Sequence, residues 1–153
     1  ARLSQLDPGG ANEFRNNLAR FEASLTEGEK RWDAMLSPFA GTELVTYHNS
    51  WPNFLKRFRL VAAGYVEPKP GIPPSPAPIV FLINLMRQKK VRVILMEPYF
   101  DERTPNSIAQ KTGAKVLTFI PSVGGVPAAR DYISLFDYDV KLLADALKQP
   151  AAR

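Results

Sequence analysis

Glu43-Leu44-Val45-Thr46-Tyr47-His48-Asn49-Ser50-Trp51 decides how this chain is read. A short, partly β-branched apolar run leads into the only histidine of the 153 residues. A turn and a short helical pattern, about Trp51–Phe58, follow it. Such a run, bounded by turn residues, is the pattern of a strand covered on both faces. Val61–Val66, Val91–Met96 and Lys115–Ile120 have the same character. Between them lie helical patterns at about Ser75–Lys89 and Thr104–Thr112. A last one runs from about Ala128 to Lys148, with a break expected near Phe136–Tyr138. Strands alternating with helices specify an α/β fold, a four-stranded and mainly parallel sheet flanked by helices. Right-handed crossovers then bring all four strand C-termini to one edge.

Upstream, no proline interrupts Ala11 to Leu36. Phe14, Leu18, Phe21, Leu25, Trp32, Met35 and Leu36 recur mainly at three- and four-residue steps. This spacing predicts one long amphipathic helix, with an interruption near Gly28. Asp7-Pro8 reads as its start, a capping carboxylate before a proline. Pro38-Phe39-Ala40-Gly41 reads as its end. A helix of roughly 25 residues is about 35–40 Å long, which is enough to overhang a domain of this size.

Composition narrows the function classes. With 45% hydrophobic residues the chain can bury a core, and its length fits one domain. No run approaches 18 consecutive apolar residues, so no spanning helix is expected. Cysteine is absent, which excludes disulfides, thiolate zinc sites and a cysteine nucleophile. The net charge is +5, but the basic residues are scattered and the densest group, Lys56-Arg57-Phe58-Arg59, is short. No nucleic-acid partner is expected.

In open α/β sheets ligands bind outside the strand C-termini. One step past each strand stand His48, Glu67-Pro68, Glu97-Pro98 and Pro121-Ser122. One imidazole and two carboxylates thus share an edge. His48 reads as a metal ligand, a general base or a structural residue; imidazole suits zinc, and a carboxylate neighbour would fix its tautomer. Glu97 follows a fully apolar strand and reads as a ligand or orienting group, or else as a cap or a partner of Arg103. Glu67 opens a proline-rich loop that ends at Ser75, a cap for the next helix, and reads first as a structural or loop-positioning residue, with a role at the ligand edge as the alternative. Ser122-Val123-Gly124-Gly125 is either a turn or a weak anion cradle, without the sequence of a phosphate loop. No nucleophile elbow and no HExxH motif are present.

Several of these stretches resemble a family. Val45-Thr46-Tyr47-His48-Asn49-Ser50-Trp51-Pro52-Asn53-Phe54, with Arg57-Phe58-Arg59-Leu60, is similar to a signature of the zinc/manganese-type solute-binding proteins of bacterial ABC transporters. Glu67-Pro68-Lys69-Pro70-Gly71-Ile72-Pro73-Pro74-Ser75 continues the likeness. So do Val93-Ile94-Leu95-Met96-Glu97-Pro98-Tyr99-Phe100 and Thr112-Gly113-Ala114-Lys115-Val116. Leu6-Asp7-Pro8 and Asn17-Leu18 resemble the start of the helix joining the family's two lobes.

The resemblance implies a linking helix at 1–37 and a C-terminal α/β lobe at 38–153, with an N-terminal lobe as the missing partner. It implies that His48 is a direct ligand of Zn²⁺, with Mn²⁺ as second choice, and that Glu97 is a ligand or orients His48. The fourth ligand of the family, a carboxylate after the last strand, falls at Pro121-Ser122, where this chain has none. Pro78 stands where the family's Pro-Ser-x-Ala-His pattern has a histidine. A single lobe is then expected to hold metal weakly or not at all, and to bury its cleft edge and long helix by self-association. The implied setting is periplasmic, extracellular or lipid-anchored, the implied partner an ABC permease, and no enzyme activity is implied. Two other readings remain at this point: a flavodoxin-like phosphate- or nucleotide-binding half-domain of an enzyme, and a metal-free interaction module.

Overall fold

A computed structural model describes residues 2–69, 71–72 and 74–149. Pro70 and Pro73, two prolines of the Glu67–Ser75 stretch, lie outside them. Strands β1 (Glu43–Thr46), β2 (Val61–Tyr65), β3 (Val93–Met96) and β4 (Lys115–Thr118) form one sheet in the order β2-β1-β3-β4. Every neighbouring pair is parallel. Helices α3 (Pro52–Arg57), α4 (Pro76–Lys89), α5 (Arg103–Thr112) and α6 (Tyr132–Lys148) cover it. Before the sheet come a short α1 (Arg2–Leu6) and the long α2 (Ala11–Leu36). The expected α/β lobe behind a long helix is therefore the fold. β1, β2 and β4 stop one or two residues before their apolar runs do. The backbone turns away there, while single bonds persist, Tyr47 N–H to Leu95 O at 2.7 Å and Phe119 N–H to Met96 O at 2.8 Å.

Alternation along the strands splits the core in two. Leu44, Val93, Leu95, Leu117 and Phe119 pack with Val140, Leu143 and Leu147 of α6 and with Trp32 and Leu36 of α2. Val45, Tyr47, Ile94 and Met96 pack with Leu82, Ile83 and Met86 of α4 and with Ile108 of α5.

The long helix differs from its expected form at two points. It begins at Ala11 rather than at Asp7-Pro8, because α1 ends in a turn where Asp7 Oδ1 accepts the Gly10 N–H at 3.2 Å. It runs without interruption through Gly28. A Cβ at Gly28 would stand 2.8 Å from the Trp32 ring, so the glycine makes room for the tryptophan and not for a bend. Trp32 Nε1–H donates to Asp137 Oδ1 of α6 at 2.7 Å, and Arg31 bonds both oxygens of the same carboxylate at 3.1 Å. The C-terminal part of α2 docks: Gly28, Trp32 and Leu36 are its buried residues, Leu25 packs against the same core and Phe21 meets Tyr132 edge-on at 6.1 Å, whereas Leu18 is exposed.

Helix α6 starts at Tyr132, not Ala128, and is unbroken at Phe136–Tyr138. Asp131 sets the start through a capping box: its Oδ1 accepts the Ser134 N–H at 2.8 Å, and Ser134 Oγ accepts the Asp131 N–H at 3.0 Å. Asp131→Ala should therefore lower stability. A urea midpoint that does not move would refute this. Among the described residues no helix is long and apolar enough to cross a membrane.

Candidate metal site at the sheet edge

The strand order places a switch point between β1 and β3. The chain leaves β1 toward β2 on one side, and continues from β3 toward β4 on the other. The two loops diverge and leave a crevice outside the strand ends, which is where open parallel sheets bind ligands. His48 stands past the end of β1 and Glu97 follows β3, one on each side of it.

His48 is held from several directions. Glu67 N–H donates to Tyr47 O at 2.9 Å, which keeps the end of β2 beside the end of β1. The Glu67 carbonyl then lies 2.6 Å from His48 Nδ1. A carbonyl can only accept, so Nδ1 carries the proton, and the tautomer this selects is the one whose Nε2 keeps its lone pair. Thr46 Oγ1–H donates to His48 O at 2.5 Å and braces the backbone. The imidazole packs edge-on against Tyr47 and Phe100, with centroids 4.9 and 4.6 Å away. The residue is 7% exposed. It lines a cavity of about 490 Å³ with Asn49, Ser50, Glu67, Pro68, Gly71 and Phe100. Burial, and then the Glu67 carboxylate, raise the Tyr47 phenol above its usual pKa, so Tyr47 stays a neutral wall of this site.

Glu97 is 1% exposed, and neither of its carboxylate oxygens has a hydrogen-bond partner among the described residues. It does not pair with Arg103, whose guanidinium and backbone N–H both engage Asp101. That contact holds the Asp101 carboxyl at about 2. A buried, unpartnered carboxylate is costly, so Glu97 is suited to receive a cation or a donor brought from outside. It does not line the His48 cavity; His48 and Glu67 share that cavity, and Glu97 stands at the next strand end. Glu67 acts on the ring through its main-chain carbonyl, in keeping with a structural role. Among the described residues no three His, Asp or Glu side chains stand together as a metal-binding group.

At the end of β4 the Ser122–Gly125 stretch is a turn. Gly124 N–H bonds Ala129 O at 2.6 Å and Gly125 N–H bonds Ser122 O at 3.2 Å. Gly124 has φ +84°, the left-handed region that favours glycine. With those donors already used, the phosphate-cradle reading loses its support. The acid that reaches this strand end is one the sequence reading missed. Asp139 of α6 is 5% exposed and accepts the Ile120 N–H at 3.0 Å. Burial pushes its carboxyl up to about 7 against the pull of that hydrogen bond. A signal was present, since Asp139 lies four residues from both Leu135 and Leu143 on the buried stripe of α6.

Comparison with known proteins agrees with this architecture. The high-affinity zinc uptake system protein ZnuA of Brucella abortus is 22% identical over 146 residues, which is 95% of this chain and 43% of that protein. The metal ABC transporter substrate-binding lipoprotein SloC of Streptococcus mutans is 24% identical over 153 residues, 97% of this chain and 50% of that one. The chain thus spans about half the length of these relatives or less. The structure of the SBP FpvC of Pseudomonas aeruginosa in complex with Ni²⁺ superposes with a TM-score of 0.77 at 25% identity. That match covers 99% of this chain and 57% of FpvC. The family model described as zinc-uptake complex component A, periplasmic, matches residues 1–146. With nearly its whole length inside that match, this chain belongs to the family of the periplasmic zinc-uptake component A proteins.

Proposed function

We propose that this chain is the linking helix (1–37) and C-terminal lobe (38–153) of a metal-ion binding protein, the solute-binding component of a metal ABC transporter. Its cargo is zinc, with manganese second, and it is not an enzyme. The observation that carries this reading is the His48 ring, fixed through Nδ1 with its Nε2 lone pair free at the switch-point crevice. That is the state in which imidazole binds a metal. Glu97 is the second residue, as a ligand or as a carboxylate that the cargo's charge stabilises. A ligand set led by imidazole favours zinc, and added carboxylates move the preference toward manganese. The remaining donors come from an N-terminal lobe across the cleft. The span of about half the relatives' length supports this.

The family is described as periplasmic, and one relative is named a lipoprotein. This supports a periplasmic or extracellular setting, lipid-anchored or free, with an ABC permease as partner. An exposed cleft edge also favours self-association when the lobe stands alone. Zinc titration of the protein with both lobes present tests the function; absence of tight one-to-one binding overturns it. Glu97→Gln adds a second test. It should weaken zinc binding by about 10- to 100-fold in the two-lobed protein. An unchanged affinity would show that Glu97 takes no part.

A further inference from the structure

We infer that Phe100 is the positioning residue of His48. Its ring reaches across the crevice from the β3 loop, closes one side of the imidazole, and keeps Nδ1 on the Glu67 carbonyl so that Nε2 faces the cavity. The importance of this for metal binding rests on the proposed role of His48, but the geometry does not.

Phe100 lies flat on Tyr47, with centroids 4.6 Å apart and planes 5° from parallel. It stands edge-on to His48 at 4.6 Å and 81°. Tyr47 itself is edge-on to His48. The imidazole thus sits in a corner made by two rings that stack on each other. Phe100 is fixed from its own side as well. Its N–H bonds Glu97 O at 3.3 Å, Pro98 stiffens the turn, and Asp101 is engaged by the Arg103 N–H at 2.8 Å. Tyr99, 66% exposed, packs edge-on against its outer side at 4.7 Å.

An imidazole held by one hydrogen bond can rotate about its Cβ–Cγ bond and exchange that bond for water, because the net gain from such a bond is small. A ring wall removes both options. It blocks the rotation sterically, and it excludes water from a bond that is stronger in a low dielectric. Phe100 also packs beside the Val45 and Met96 cluster. A loss of stability on mutation would therefore not identify its role, and the test must read the imidazole.

A single histidine makes that reading direct. In the ¹⁵N-labelled chain, read where the ring signals no longer change with rising pH, the native protein should show one protonated and one bare nitrogen, with Nδ1 protonated. Phe100→Leu keeps apolar volume but not the ring, and should give two averaged signals of exchanging tautomers. Phe100→Tyr keeps the ring and should restore the native pair. Tyr47→Leu removes the surface on which Phe100 rests, and should resemble Phe100→Leu. The proposal is overturned if a folded Phe100→Leu keeps the native nitrogen pair, or if Phe100→Tyr loses it. In the two-lobed protein Phe100→Leu should weaken zinc binding by about 10-fold, and Phe100→Tyr should leave it near native. If His48→Ala left zinc binding intact, the metal reading would fail, while the nitrogen spectra would still decide the role of Phe100.

Discussion

His48→Ala, made in the protein with both lobes, should reduce zinc affinity by more than the ~10–100-fold that a lost outer partner costs. The reason is local. Nδ1 is committed to Glu67 O, and Nε2 is the free donor at the switch point. No other histidine exists in the chain to replace it. Fold stability should change little by comparison, since the ring is held by one hydrogen bond and two aromatic edges. Calorimetric titration with zinc, read beside thermal unfolding of the same variant, separates the two effects. An affinity that stays native would remove His48 from the ligand set. Manganese should be affected less, because a site that binds it leans more on oxygen donors.

Asp139→Asn should make the chain more stable at pH 8 by on the order of 2–4 kcal/mol, and by almost nothing near pH 4. Asp139 is held at about 7 in the folded state against 3.8 as its ordinary value. The folded protein therefore keeps a proton that the unfolded chain gives up between these values. Stability from this group is fully present below pH 4, declines as pH rises to 7, and is constant above. That is the reverse of an ion-paired carboxylate such as Asp33, which Arg57 holds below the usual range. Asparagine keeps an oxygen for the Ile120 N–H and removes the charge, so the variant should lack the decline. Urea unfolding of both proteins from pH 4 to pH 8 measures the divergence. Curves that stay parallel would mean that Asp139 keeps a normal carboxylate charge in the folded state.

The strands were legible because both faces of a parallel sheet are covered, so each strand is written as a continuous apolar run. Their order could not be read, and with it the switch point between His48 and Glu97, because the choice of strand neighbours leaves no local pattern. Helix ends were read less well where two signals competed. Proline after Asp7 suggested a start, but Gly9-Gly10 delayed it to Ala11. Ala128 continued an apolar pattern, but the Asp131–Ser134 box fixed the true start. Glycine at 28 suggested a break, and it serves close packing of Trp32. For the site, topology alone gave the convergence of His48, Glu67 and Glu97 on one edge. The tie from Nδ1 to a main-chain carbonyl, and the ring of Phe100 beside it, depend on how two loops curve past the sheet. Neither is encoded in spacing.

Helix α2 is also a lever with one clamped end. Trp32 and Arg31 grip Asp137, and Leu36 is sealed in the core. Leu25 packs on the same core and Phe21 meets Tyr132 of α6, so the arm that extends past the last of these contacts is the stretch from Phe21 back to Ala11, about 15 Å of helix. A tilt of about 10° there moves the tip through about 3 Å. Shifts of α6, which also carries Asp139 to the end of β4, are thus handed to whatever holds the tip, and a push on the tip is handed back to α6.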